Sequence, residues 1–247
     1  MPNERRRRGD REDTLLPAQV SCNESEAGSW TQTATVLNVS PFGARLRLSH
    51  PTEPGRLLYL QLSMPRRLRS YDHDEDQYKT WALVRHLTTL PVNADERAQF
   101  EIGVAFTGKS CPAGYDDDPA QRFELVMPDS EGLPWQLQEF PAPSAITPVG
   151  ERRSELRHEI SQEVMIEIYD ADGNVYKQEL ATTTNISRHG MALLTTFHIV
   201  RGRYIRVRSA QYKIAVIAAV RRLAQADDGR KRLHLEFVDQ QWPALPA

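Results

Sequence analysis

NVSPFG, residues 38–43, and NISRHG, residues 185–190, share the pattern NxSxxG and lie in opposite halves of a 247-residue chain. Each follows a cluster of arginines. Arg6, Arg7 and Arg11 form RRxxxR, and Arg152, Arg153 and Arg157 form it again. Asn38 to Asn185 is a shift of 147 positions, and Arg11 to Arg157 is a shift of 146. Cluster and hexapeptide move together to within one residue, which marks an internal repeat.

The segments that follow extend the repeat. GARLRLS (43–49) answers GMALLTT (190–196), and LLYLQLSM (57–64) answers RYIRVRS (203–209). TWALVRHLTTL (80–90) answers KIAVIAAVRRLAQ (213–225), and QFEIGVAF (99–106) answers KRLHLEFV (231–238). Alternation at period two, with β-branched and aromatic residues, is the pattern of half-buried antiparallel strands. In the second half, VMIEIYDADGNVYKQEL (164–180) has the form of a hairpin turning near Asp172-Gly173. Each half thus offers about six short strands, the spacing of a small barrel or sandwich. DPAQRFELVM (118–127), with Asp118 as cap and Pro119 at the first position, predicts a short helix after the first set of strands. The stretch 66–79, RRLRSYDHDEDQYK, has no counterpart in the second half and is expected to be a mobile loop. EFPAPSAITPVG (139–150) is proline-rich and reads as a linker. The domains expected are 1–140 and 151–247, joined by 141–150.

Bulk properties narrow the function. The net charge is −2, which argues against nucleic acid as a partner, although Arg5–Arg8 taken alone resemble a basic tail. The charge is uneven: residues 1–145 carry 16 Lys and Arg against 21 Asp and Glu, the remainder 15 against 12. The second half is the better candidate for an anionic ligand. Cys22 and Cys111 are far apart and form no metal-ligand or disulfide framework. No apolar run is long enough for a membrane span, and the arginine-rich start lacks the apolar stretch of a secretory signal. A cytoplasmic protein is expected.

RxxxR followed by NxSxxG, opening a small β-barrel, resembles the PilZ domain family. The resemblance covers both halves, so the chain looks like a tandem PilZ protein: all-β, with two antiparallel six-stranded barrels. It implies a non-enzymatic receptor for the bacterial messenger cyclic di-GMP, with no cofactor beyond that ligand. It further implies that Arg153 and Arg157 clamp the ligand in the second domain, with Asn185, Ser187 and Gly190 as the barrel-side motif. Arg7, Arg11, Asn38, Ser40 and Gly43 are the equivalents in the first. The additional arginines, Arg152 and Arg6, resemble those of members that bind an intercalated ligand dimer. Both halves have Asn where many members have Asp, and His189 and Phe42 stand where many have a small residue.

The chemistry suits the residues. Arginine presents a planar, permanently charged fork that matches both phosphate and the O6/N7 edge of guanine. Asn accepts from and donates to a base edge, Ser is a small donor and acceptor, and Gly permits close backbone approach. No attached output domain is legible, so the signal is expected to leave through an unidentified protein partner. The alternative is that at least the first barrel is a ligand-blind interaction module.

Two other patterns fail on context. GVAFTGKS (103–110) matches the P-loop pattern, but Val104, Ala105 and Phe106 belong to a strand and Pro112 breaks any helix behind Ser110. DHDED (72–76) lacks the central glycine and distal Glu of a calcium loop. The chain's histidines show no paired metal-ligand spacing, and no catalytic constellation is present in the sequence.

Overall fold

A computed structural model describes residues 11–24, 28–91, 98–126, 135–139 and 158–243. The first set of strands is β1 (Glu12–Asn23), β2 (Ser29–Ser40), β3 (Gly43–Leu48), β4 (Leu57–Leu62), β5 (Tyr78–Thr89) and β6 (Phe100–Gly108). They close into an antiparallel barrel in the order β1-β2-β3-β6-β5-β4. A two-stranded sheet follows, β7 (Phe123–Val126) with β8 (Gln136–Glu139). The second set is β9 (Glu163–Tyr169), β10 (Val175–Ile186), β11 (Gly190–Thr195), β12 (Tyr204–Ser209), β13 (Ile214–Gln225) and β14 (Lys231–Phe237). It closes in the same order, strand for strand. The all-β tandem architecture expected from the repeat is present.

Alternation builds each barrel. In β4, Leu58, Leu60 and Leu62 point inward while Tyr59 and Gln61 stay partly exposed. Val20, Val36, Leu46 and Ile102 meet them from the other strands. Ile166, Ile205, Val207, Val216 and Leu233 fill the second barrel. Each such side chain contributes about 1.5–3 kcal/mol on burial, and closure leaves neither barrel a free sheet edge. The 164–180 hairpin forms as expected, its turn held by Asp170 Oδ1 accepting from the backbone N–H groups of Asp172 (3.0 Å) and Asn174 (2.8 Å).

Two expectations are corrected. The helix over 118–127 is absent among the described residues. Asp118 Oδ1 accepts from Ala120 N at 3.2 Å, but this caps a turn, and Phe123–Val126 is strand β7. Tertiary contacts override the local cap signal. Phe123 is buried with Leu57, Leu83 and Tyr115, its N–H donates to Gly55 O at 2.9 Å, and β8 supplies a strand partner. The 66–79 stretch is an organised loop rather than a mobile one. It opens with a 3₁₀ turn at Arg66–Leu68 and wraps around buried Arg69, which donates to the carbonyls of Met64 (2.9 Å) and Asp72 (2.8 Å). The 141–150 linker lies outside the described residues.

The barrels pack on one another. Phe100 of the first meets Tyr169, Tyr204, Ile217 and Ala219 of the second in one buried cluster. A polar lock sits beside it. Glu53, 2% exposed in the β3–β4 loop, accepts from Tyr204 Oη at 3.1 Å and from both Nη atoms of Arg221, one at 2.9 Å. Thr89 Oγ1 donates to Asp239 Oδ2 at 2.7 Å, and the other oxygen of Asp239 accepts from Ile217 N at 2.9 Å. Among the described residues no helix is long and apolar enough to cross a membrane.

Candidate ligand site

Each hexapeptide is a hairpin with a two-residue loop, joining β2 to β3 and β10 to β11. The serines face inward. Ser40 Oγ donates to Gly43 O at 3.3 Å, and Ser187 Oγ to Gly190 O at 3.2 Å. The tip of each turn is stitched to the last strand of its barrel: Phe106 N donates to Phe42 O at 2.9 Å, and Phe237 N to His189 O at 2.8 Å. The final glycines have ordinary φ. They are required by close approach, because a Cβ on Gly43 would fall on Val104 O and one on Gly190 on Leu235 O. Ser40, Ser187, Gly43 and Gly190 therefore shape the turn, and Phe42 and His189 supply backbone carbonyls to it.

Asn38 and Asn185 sit where the strand is re-aimed. The ladder shifts register between Val36 and Asn38, and at the equivalent place between Thr183 and Asn185. A bulge of this kind turns a side chain away from the regular pleat. Both asparagines are partly exposed.

Arg11, and the residues that directly follow each arginine motif, lie beside them. Arg11 is exposed, and its Nη1 donates to Asn38 Oδ1 at 3.3 Å. The next residue, Glu12, pairs with Val39. In the second barrel His158, the residue after Arg157, bridges Ile186 through two backbone hydrogen bonds of 2.9 Å. Ile186 stands between Asn185 and Ser187, so the backbone anchor is repeated in both barrels. Arg6, Arg7, Arg152, Arg153 and Arg157 lie outside the described residues.

A row of side chains continues outward from each asparagine, and the sequence reading missed it. Asn38 pairs with Arg45, Arg45 with Gly103 and Gly103 with His86. Asn185 pairs with Ala192, Ala192 with His234 and His234 with Arg222. Core residues flank the members on their strands, such as Leu46 beside Arg45 and Leu233 and Leu235 beside His234, so the rows lie on the outer surface. A second pair of register shifts, Val84/His86 and Val220/Arg222, closes each row. The His86 ring lies over Gly103 where a Cβ would clash with it. Burial, and then the positive charges of Arg11, Arg45 and Arg85, hold its pKa below the usual histidine range. The signal in the sequence was available: counting back across each two-residue turn, from Ser to Gly, pairs the asparagines with Arg45 and Ala192.

The P-loop pattern is confirmed as strand, since Gly103 to Gly108 lie within β6. No group of three or more potential metal ligands is found among the described residues.

No family model and no curated protein matches the chain. Solved structures do. The inhibitor of motility MotI/DgrA of Bacillus subtilis is 10% identical over 93% of this chain and 90% of that one, at a TM-score of 0.30. The PlzA protein of Borreliella burgdorferi, in complex with c-di-GMP, is 9% identical over 93% and 87%, at 0.27. YcgR from Escherichia coli, also in complex with c-di-GMP, is 12% identical over 91% and 76%, at 0.29. Identity and TM-scores this low say nothing of this chain's ligand.

Proposed function

We propose that this chain is a non-enzymatic, tandem PilZ-type receptor for cyclic di-GMP that passes its signal to a protein partner through the arrangement of its two barrels. The repeated anchor carries the proposal: in both barrels the residue after the RxxxR motif is tied to the strand between the Asn and the Ser of NxSxxG. Arg11 already reaches Asn38, which is the proximity the motif pair requires. In the second barrel Arg152, Arg153 and Arg157 supply the cationic arm and Asn185 the polar edge, while Ser187 and Gly190 hold the turn. In the first, Arg6, Arg7 and Arg11 work with Asn38 above Ser40 and Gly43. Ligand neutralised by such arms orders them at an entropic cost that guanidinium–phosphate pairs offset.

The link to interdomain geometry is β13. Arg221, bound to Glu53 of the first barrel, is the immediate neighbour of Arg222 at the end of the second row. A ligand shifts the barrel arrangement only by its differential affinity for two arrangements, and adjacency on one strand puts the lock next to the row.

Calorimetric titration of the full chain with cyclic di-GMP is the test, with Arg157→Ala and Arg11→Ala beside it. Saturable binding lost in Arg157→Ala supports the second site. An Arg11→Ala trace identical to wild type in stoichiometry makes the first barrel an adaptor. Absence of binding by the wild-type chain overturns the receptor reading.

A further inference from the structure

The two rows contain the same kinds of residue in different order. Each has one Asn, one Arg, one His and one residue with no reach beyond Cβ. From the asparagine outward the first barrel reads Arg45, Gly103, His86, and the second Ala192, His234, Arg222. The surroundings of the two arginines also differ. Arg45 is ion-paired to Glu101, which also accepts from Arg47 at 2.7 Å. Glu101 is 7% exposed, and these two hydrogen-bonded guanidinium groups, Arg47 first, hold its carboxyl below the usual range. At the position equivalent to Glu101, opposite Leu194 as Glu101 is opposite Arg47, the second barrel has Arg232. Arg222 and Arg232 are both exposed, and neither has an ion-pair partner among the described residues.

We infer that each row is the floor of its ligand site, that Arg45 and Arg222 are ligand-contacting residues outside the RxxxR and NxSxxG motifs, and that the second site binds cyclic di-GMP more tightly than the first. This rests on the receptor reading above. The bulges at both ends of each row take its end members off the regular pleat, and the arginine arm is anchored beside the asparagine end. In the first barrel the charge of Arg45 is committed to Glu101, so a ligand phosphate must compete with a carboxylate already in place. In the second barrel the carboxylate is replaced by a cation, Arg232, and the residue paired with Asn185 is the small Ala192 rather than an arginine tied to an acid. The exposed imidazole of His86, lying over Gly103, gives the first floor a flat face on which a base can stack.

The sites are separated by background. Arg157→Ala leaves the first to be titrated with cyclic di-GMP, and Arg11→Ala leaves the second. In the Arg11→Ala background, Arg222→Ala is expected to weaken binding about tenfold, the loss of one good guanidinium contact. In the Arg157→Ala background, Glu101→Gln is expected to tighten binding severalfold by releasing Arg45, a gain that damage to the fold does not produce. Arg222 is exposed, so its variant keeps the test valid if Glu101→Gln lowers the melting temperature. Wild-type binding that is lost in Arg157→Ala but unmoved by Arg222→Ala overturns this inference alone. A first site as tight as the second also overturns it. A wild-type chain that takes up no cyclic di-GMP overturns the receptor reading and this inference with it.

Discussion

Removing the carboxylate of Glu53 is expected to uncouple the two barrels. Glu53 is 2% exposed, and both its oxygens are engaged by Arg221, with Tyr204 Oη at 3.1 Å and Arg122 Nη1 at 3.9 Å beside them. Truncating one partner of a buried ion pair typically costs about 3–5 kcal/mol, because the other charge is left desolvated. Here Arg221 keeps a second partner, its Nε donating to Glu236 Oε2 at 2.7 Å, so Glu53→Ala is expected near the lower figure, about 3 kcal/mol. Arg221→Met leaves the buried carboxylate with a phenol and a distant guanidinium and is expected to cost at least as much. The double variant removes both charges and is expected to be less destabilised than the sum, with a coupling of about 1–3 kcal/mol. The assay is urea unfolding followed by tryptophan fluorescence, since Trp30 and Trp81 report on the first barrel and Trp242 on the second. Loss of the lock is expected to split a shared transition into two. Single and double variants all within about 0.5 kcal/mol of wild type, with one transition retained, would refute the reasoning.

Gly190→Ala is expected to destabilise the second barrel by about 1–3 kcal/mol and to abolish its ligand site, because the new Cβ meets the backbone at Leu235 O; thermal melting and cyclic di-GMP titration check it, and Gly43→Ala is the parallel case at Val104 O. The buried pair Glu24 and His50 gives a pH prediction. Burial pushes Glu24 up to about 7, so its contribution falls as pH rises from about 4.5 to 7; burial pushes His50 down to about 4, so its contribution rises with pH from about 4 to 6.5. The two slopes oppose one another in wild type, and Glu24→Gln, which preserves an acceptor for Trp30 Nε1, is expected to uncover stability that rises by up to about 1.4 kcal/mol per pH unit between pH 4 and 6.5; denaturant unfolding across that range that stays as flat as wild type would exclude it.

Strand positions were legible because period-two alternation is clear in strands such as β3, β4 and β14, and because each half of the repeat tests the other. The cap signal at Asp118-Pro119 misled, since a local capping pattern carries no information about whether a strand partner lies downstream; Phe123 is drawn into a cluster with Leu57 and Leu83, remote in sequence. The acidic appearance of 72–76 concealed the order of its loop, which comes from one buried cation, Arg69, satisfying main-chain carbonyls. Of the candidate site, the motifs were visible but the division of labour within them was not. Nothing in NxSxxG says that the Ser hydroxyl turns inward to the Gly carbonyl while the Asn stands on a bulge. Bulges change the facing of a side chain by inserting one residue, and a linear pattern records the residue without the shift.

The most informative place in the repeat is the bulge that ends each row. In the first barrel it presents Arg85 and His86, and in the second Arg221 and Arg222. Arg85 is exposed, whereas Arg221 is bound to Glu53 and Glu236 between the barrels. The extra residue of a bulge is free of the regular pleat, so it can acquire a new partner without disturbing the ladder on either side. Duplication therefore supplied two equivalent arginines, and only the second was placed against the loop that carries Glu53. This makes the second barrel the one whose outer row and interdomain lock occupy consecutive residues of a single strand. On the proposed receptor reading, coupling of ligand to barrel arrangement is expected to be asymmetric: Arg222 is one peptide from the lock, and its counterpart in the first barrel, His86, is one peptide from an arginine that faces solvent.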